Sequence, residues 1–332
     1  MDSRQVFRDT DVKAEFLERW DELAPHAPGG LEGLDGMPLG KATEVAESMA
    51  EGTYEPGTES GLEAIIERFT RPVYFVRRSK FTVPNDNFPN SEQIHAQLDK
   101  ARQLVEARLP SAGRIDLRNH RLDWVGTGWM VADGILVTNR HVAQEFATAR
   151  DGGFAFRQNL GKPPVAASVD WFHEHAQPEE SRFRVLEVLH IEPDDSVDVA
   201  ILRVKAHGDN DEPCPKPITL MTRAELNAAE VGAWVAVVGY PAQDSRNNAA
   251  DQQRIFDGIY NVKRLAPGQL TAKVGTDLLH HDATTLGGNS GSVILDLATG
   301  KALGLHFGGI QGEHNEAVQA PRVHEVLKKV LP

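Results

Sequence analysis

The sequence predicts a mainly β protein. Two antiparallel β-barrels, at about 112–205 and 206–320, follow a helical N-terminal region over 1–111 and end in a C-terminal helix. Three observations predict this. From residue 112 the apolar runs are short and β-like, at 114–117, 124–131, 135–138, 185–190, 199–204, 233–238, 268–274, 292–295 and 302–307, broken by Gly, Pro, Asn and Asp. No helical patterns of about ten to fifteen residues alternate with them, which argues against a parallel α/β sheet. Before residue 112 the apolar period is instead the helical one.

Along the N-terminal region, Val12, Phe16, Trp20 and Leu23 share one face of a helix over 11–24. Residues 24–58, rich in Gly and Pro, read as a long connection with a short helix at 41–50. Ser60 and Glu63 form a capping box, and Leu62, Ile65, Ile66 and Phe69 line the helix over 60–70 that Pro72 stops. A short strand at 73–76 and a proline-bounded loop at 84–89 follow. A third helix over 92–109 carries Ile94, Leu98, Ala101 and Val105 in phase. At the other end Val323, Val326, Leu327 and Val330 make a helix face, with Pro321 in the first turn. The N-terminal helices carry no chemistry of their own. Two roles stand open for them: packing on the first barrel, with 73–76 extending a sheet, or restraint of it, released by cleavage within the stretch 79–90.

Composition narrows the functions. In 332 residues, 40% hydrophobic and 25% charged content is that of a soluble globular protein. No apolar stretch approaches a membrane span, so no membrane partner is expected. The net charge of −13 excludes a nucleic-acid partner from the expectation, since phosphate is repelled rather than neutralised. Cys214 is the only cysteine, so no intrachain disulfide forms. With an N-terminus lacking the basic–apolar–small order of a signal, this predicts a cytoplasmic protein.

The chemistry centres on 282–296, Asp-Ala-Thr-Thr-Leu-Gly-Gly-Asn-Ser-Gly-Ser-Val-Ile-Leu-Asp. Ser290 stands there between Gly288, Asn289 and Gly291, before an apolar run. A serine that attacks a carbonyl needs such a tight turn, a base and a group to orient that base. His141, in Thr-Asn-Arg-His-Val-Ala after the apolar 135–137, supplies the base. Asp198, heading the apolar 199–202, supplies the orienting carboxylate, whereas Asp194 and Asp195 face solvent.

His141, Asp198 and Ser290, in that order and each beside a β-like run, resemble the triad of chymotrypsin-like serine peptidases. The resemblance covers roughly 112–331 and implies a fold of two antiparallel barrels with a terminal helix. It also implies an acyl-enzyme on Ser290, an oxyanion hole made by the backbone N–H groups of Gly288 and Ser290, and protein or peptide substrates. Gly304-Leu-His-Phe-Gly-Gly309 resembles the corresponding segment of the glutamyl endopeptidase branch, as do Thr285, Gly239-Tyr-Pro241 and Gly287-Gly288. This implies that Thr285, His306, Phe307 and Gly309 bind substrate, with His306 and Thr285 meeting the carboxylate of a P1 Glu. Leu286 departs from that branch, which has a small polar residue there, and the loop from Ser290 to His306 is slightly longer. That branch also uses a freed N-terminal amine near the pocket, whereas this chain carries a long extension. The other reading of His306 is a packed residue in a pocket for something else.

Proteins that resemble this one occur in bacteria beside nuclease or other effector modules, which implies processing of a specific effector protein. No cofactor or metal is expected. His173-Glu-His175 and His280-His281-Asp282 hold metal-ligand residue types, but lack the spacing and third ligand of a zinc site and read as surface loops or strand ends. The runner-up function is a catalytically idle peptidase-fold module that binds a peptide or partner protein.

Overall fold

The structure is a computed structural model. It describes residues 71–331 except 83–87, 89–90, 151, 159–162, 244–248 and 311–313, together with Leu17, Thr43 and Glu47. Those three isolated residues are helical, in the segments expected to be helices at 11–24 and 41–50. The rest of those helices, the helix at 60–70 and the loop at 84–89 apart from Phe88 lie outside the described residues.

The described chain opens with a hairpin, β1 (Tyr74–Arg77) and β2 (Lys80–Thr82). Helix α1 (Glu92–Glu106) follows, burying Ile94, Leu98, Ala101 and Val105, the face its periodicity predicts. A 3-10 turn at Leu109–Ser111 then leads into β3 (Ala112–Arg118), β4 (Trp124–Ala132) and β5 (Ile135–Thr138). Helix α2 (Arg140–Phe146) leads into a small hairpin, β6 (Ala147–Arg150) and β7 (Gly153–Phe156). Strands β8 (Ala166–Asp170), β9 (Arg182–Ile191) and β10 (Ala200–Val204) complete the first half. Six of these strands close an antiparallel barrel in the order β10-β5-β4-β3-β8-β9, so no edge is left unpaired.

The second half holds α3 (Arg223–Ala228), β11 (Trp234–Gly239), α4 (Ala249–Phe256), β12 (Arg264–Val274) and β13 (Leu278–His281). It ends with β14 (Val293–Asp296), β15 (Ala302–Ile310), β16 (His314–Gln319) and α5 (Ala320–Leu327). Strands β11-β14-β15-β16-β13-β12 run in order, and the β11–β12 pairing closes them into a second barrel. The fold is therefore the expected double antiparallel barrel of chymotrypsin type. Among the described residues no helix is long and apolar enough to cross a membrane.

One apolar core lies between the barrels. Trp129, Val137 and Ile201 from the first meet Val238, Val293 and Leu305 from the second, with Leu98 of α1 and Val323 of α5 in the same cluster. Each barrel also has its own interior, Met130, Leu136 and Leu202 in one, Val237, Ile294 and Leu303 in the other. The strand expected at 73–76 is β1, and it pairs with β12 of the second barrel, Tyr74 opposite Leu265, rather than with the first barrel. The hairpin also touches the first barrel, through His175 N–H to Val76 O at 3.1 Å.

Candidate active site

β5 ends at Thr138, and the chain turns at Asn139 into α2, which places His141 in the first helical turn. Asn139 is buried, and its Nδ2 donates to the Asp198 carbonyl at 3.0 Å. Arg140 Nη1 donates to the carbonyls of Pro193 and Ser196, at 2.6 and 3.0 Å, and so holds the turn that leads to Asp198. The Asp198 carboxylate then takes two bonds from one residue. His141 N–H reaches Oδ1 at 3.1 Å, and His141 Nδ1 lies 2.6 Å from Oδ2. With Nδ1–H committed to the carboxylate, Nε2 carries the lone pair. The Asp198 side chain is 13% exposed and that of His141 46%, so the pair is held from beneath and open above. Asp194, 88% exposed, faces solvent as the sequence predicts.

Opposite stands the turn that carries Ser290. Gly288 and Gly291 both have φ near +86°, which favours glycine. Space requires glycine as well. A Cβ on Gly291 would lie 2.0 Å from the Thr127 carbonyl, and one on Gly288 would lie 2.4 Å from the Trp124 ring. Thr127 N–H donates to the Ser290 carbonyl at 2.8 Å, and Thr127 Oγ1 to the Gly288 carbonyl at 3.2 Å. A Cβ on Gly126 would stand 2.9 Å from both the Ser290 carbonyl and a Val142 methyl, so the turn abuts the helix that carries His141. Among the described residues the Gly288 and Ser290 N–H groups have no hydrogen-bond acceptor.

The strand beyond is wired to the same turn. Gly291 N–H donates to the His306 carbonyl and His306 N–H to the Ser292 carbonyl, both at 2.9 Å. The His306 side chain is 3% exposed, and its Nδ1 lies 3.2 Å from Nε2 of the buried His281. Burial, reinforced by the charges of His281 and His141, pushes the His306 imidazole well below its ordinary range. Burial and the nearby Arg71 push His281 down to about 3, so both rings are neutral. Thr285 Oγ1 donates to Asn315 Oδ1 at 2.8 Å, and Asn315 Nδ2 to the Ala283 carbonyl at 2.7 Å. Phe307 is half-buried against the core between the barrels, and Gly309 is exposed. A Cβ on Gly308 would meet nothing within 4 Å, so the backbone here borders open space.

The histidine clusters divide. Around His173 the metal-ligand types are otherwise engaged: Glu174 is buried against Lys263 at 3.1 Å, and His175 lies on the Phe75 ring. Glu174 thus belongs to the interior rather than to a surface loop. His280 and His281 end β13, where strand pairing sends them to opposite faces. Sequence reasoning missed Thr127, Asn139, Arg140 and Asn315 as supports of the site. For Thr127 the signal was its two glycine neighbours, which allow another segment's backbone to come close.

A His–Asp pair, with a glycine-framed serine turn packed near the helix that carries the histidine on a fold of two antiparallel barrels, has the features of a serine hydrolase of chymotrypsin type. Residues 126–305 match the family model described as the trypsin-like peptidase domain. The chain is 30% identical to a protein of Lysobacter enzymogenes named a probable serine protease, over 80% of this chain and 74% of that one. A glutamyl endopeptidase of Staphylococcus epidermidis is 26% identical over 62% of each chain. Among solved structures, the active form of the Rv3671c protease from M. tuberculosis is 22% identical over 69% of this chain and 84% of the other. Its TM-score of 0.44 is too low to bear on function. The chain belongs to the trypsin-like peptidase family and is a serine endopeptidase.

Proposed function

We propose that Ser290 is the nucleophile, His141 its base and Asp198 the group that orients the base. The observation that carries this is the 2.6 Å contact of His141 Nδ1 with Asp198, set against a serine turn with two free N–H groups. His141 Nε2 takes the Ser290 hydroxyl proton as Oγ attacks the substrate carbonyl. The oxygen that becomes negative is met by Gly288 and Ser290 N–H, each typically worth about 3 kcal/mol. His141 then gives its proton to the leaving amine, and water, deprotonated by the same imidazole, releases the acyl group from Ser290. A fluorophosphonate probe tests the assignment. It should label the parent chain and neither the Ser290→Ala nor the His141→Ala variant, and both variants should lose several orders of magnitude in kcat without additivity. Near-parent turnover by either variant would end this reading.

The narrower part of the proposal is a preference for Glu at P1, met by His306 and Thr285 beside Phe307 and Gly309. A carboxylate is costly to bury without donors; a neutral imidazole N–H is one, and the Thr285 hydroxyl becomes another by turning from Asn315 Oδ1 to the substrate. The likeness to a glutamyl endopeptidase supports the same preference. Peptides that differ only at P1 should be cleaved after Glu, less readily after Asp, and poorly after Gln. His306→Ala and Thr285→Ala should each collapse the Glu-to-Gln ratio. Cleavage dominated by Leu, Phe, Lys or Arg rejects the acidic pocket and leaves the triad untouched. A dedicated effector protein as natural substrate is part of the same proposal, and a proteome-wide cleavage profile with one dominant target would support it.

A further inference from the structure

β13 and β16 pair in a register that sets His280 opposite Glu316 and His281 opposite Asn315. Side chains alternate between the faces of a strand, so the two pairs point to opposite sides. His281 and Asn315 face the substrate side, where they meet His306 and Thr285. His280 and Glu316 stand on the other face, together with His314, two residues before Glu316 in the same strand. Nε2 of His280 and Nε2 of His314 lie 3.9 and 3.8 Å from the same oxygen, Oε1 of Glu316. One ligand atom from each of the three residues lies within 4.8 Å of the others, and all three residues are half-buried. The two imidazoles stack with centroids 3.7 Å apart and planes 14° from parallel, so one ring must turn about its side-chain bonds before both lone pairs meet a single ion.

These separations are too long for hydrogen bonds. They are close to what a shared cation needs, since ligands at about 2.0–2.2 Å from a tetrahedral ion stand roughly 3.3–3.5 Å from one another.

We propose that His280, His314 and Glu316 form a binding site for one Zn2+ ion on the outer face of the second barrel. Two imidazole nitrogens and a carboxylate oxygen suit a borderline cation, and Mg2+ and Ca2+, which favour all-oxygen shells, do not fit. The ion's role is to brace the pocket. It ties β16 to β13 on one face, while Asn315, between two of the ligands, holds Thr285 and Ala283 on the other. The sequence pattern hid this site because only one ligand comes from His280-His281-Asp282. The other two lie on a strand that begins more than thirty residues later.

The site does not depend on the peptidase reading, so it is tested in the full-length Ser290→Ala chain. Calorimetric titration with zinc chloride should show one equivalent bound, with affinity reduced tenfold or more by His280→Ala and by Glu316→Gln. His173→Ala should leave it unchanged, and millimolar Mg2+ or Ca2+ should not compete. Zinc should raise the melting temperature of the Ser290→Ala chain and of neither ligand variant. Co2+ should give a visible d–d band that one equivalent of Zn2+ displaces, a readout that needs no ligand variant to fold. Absence of binding, absence of that band, affinity retained in both ligand variants, or an equal loss in His173→Ala each overturns the proposal.

Discussion

Thr127 is fully buried, and its polar groups tie the Ser290 turn to Thr138 and Tyr240. Its N–H donates to the Ser290 carbonyl, and its carbonyl accepts from Thr138 Oγ1 at 2.7 Å. Its hydroxyl donates to the Gly288 carbonyl and accepts from Tyr240 N–H at 3.3 Å. Thr127→Val keeps the shape, removes the hydroxyl and leaves a buried N–H and a carbonyl without that partner. A loss of about 1–3 kcal/mol in stability is expected. A fall in kcat of about tenfold should accompany it, because the Gly288 peptide, proposed as an oxyanion donor, loses an anchor. Thr127→Ser should restore both. Urea denaturation and turnover of one peptide measure this, and a Val variant matching the parent in both would discount the hydroxyl. The glycines allow a sharper comparison. Gly291→Ala must place a methyl against the Thr127 carbonyl at positive φ, whereas Gly308→Ala meets open space. The first should abolish activity and lower the melting temperature, and the second should leave the fold intact.

The turn that delivers Asp198 is anchored by the C-terminal helix. Glu192 is almost fully buried and accepts from His190 Nε2 at 2.8 Å, from Ser196 Oγ at 2.5 Å and from Lys329, just beyond α5. Burial alone would raise its carboxyl. The bonds from Lys329, Ser196 and His190 outweigh burial and hold it at about 2, against an ordinary 4.5. A depressed carboxyl stabilises the fold fully above about 4.5, and that contribution is lost as pH falls toward 2. Lys329 is 45% exposed, so screening reduces the contribution to roughly 1–2 kcal/mol. Glu192→Gln should therefore cost about that much at pH 7 and flatten the decline in stability between pH 4.5 and 3. Denaturant melts at the three pH values decide it, and parallel declines in parent and variant would sink the idea. Elements of this kind were unevenly legible in the sequence. β5, α1 and α5 announce themselves, because each is a local apolar pattern with a polar stop. The motifs around His141, Asp198 and Ser290 were legible because each sits directly beside such a strand. β8 and β16 were not. Ala-Ala-Ser-Val-Asp is too small and polar to look like a strand, and the His-Asn-Glu that opens β16 is held in the sheet by its neighbours. β12 runs through Pro267, which reads as a breaker but sits in the ladder opposite Ala236. The Glu174–Lys263 pair could not be read at all, since charge in a sequence looks solvated until its partner, far along the chain, is known.

That buried pair also shows how the N-terminal hairpin belongs to the whole. Lys263 Nζ reaches the carbonyls of Leu109 and Trp171, at 2.9 and 2.7 Å, as well as Glu174. Ser79 N–H completes the Glu174 carboxylate at 2.8 Å. One residue of the β1–β2 hairpin thus helps neutralise a charge at the junction of both barrels. Tyr74, Val76 and Phe81 of the same hairpin are buried with Leu98 of α1 in the core between the barrels. Removing the chain before about residue 85 would take away four buried apolar side chains among the described residues, Val73 with these three, each worth about 1.5–3 kcal/mol, and one partner of a buried carboxylate. That sum is comparable to the roughly 5–15 kcal/mol that holds a typical domain folded. Truncation there should therefore yield a chain that aggregates, or that melts at least about 10 °C lower, without a gain in turnover per folded molecule. If this segment instead restrained the peptidase, the truncated chain would stay folded and cleave one peptide substrate faster than the parent. Thermal melts and turnover measured on the same preparation separate the two outcomes, and a stable, faster enzyme would overturn the packing role argued for the hairpin.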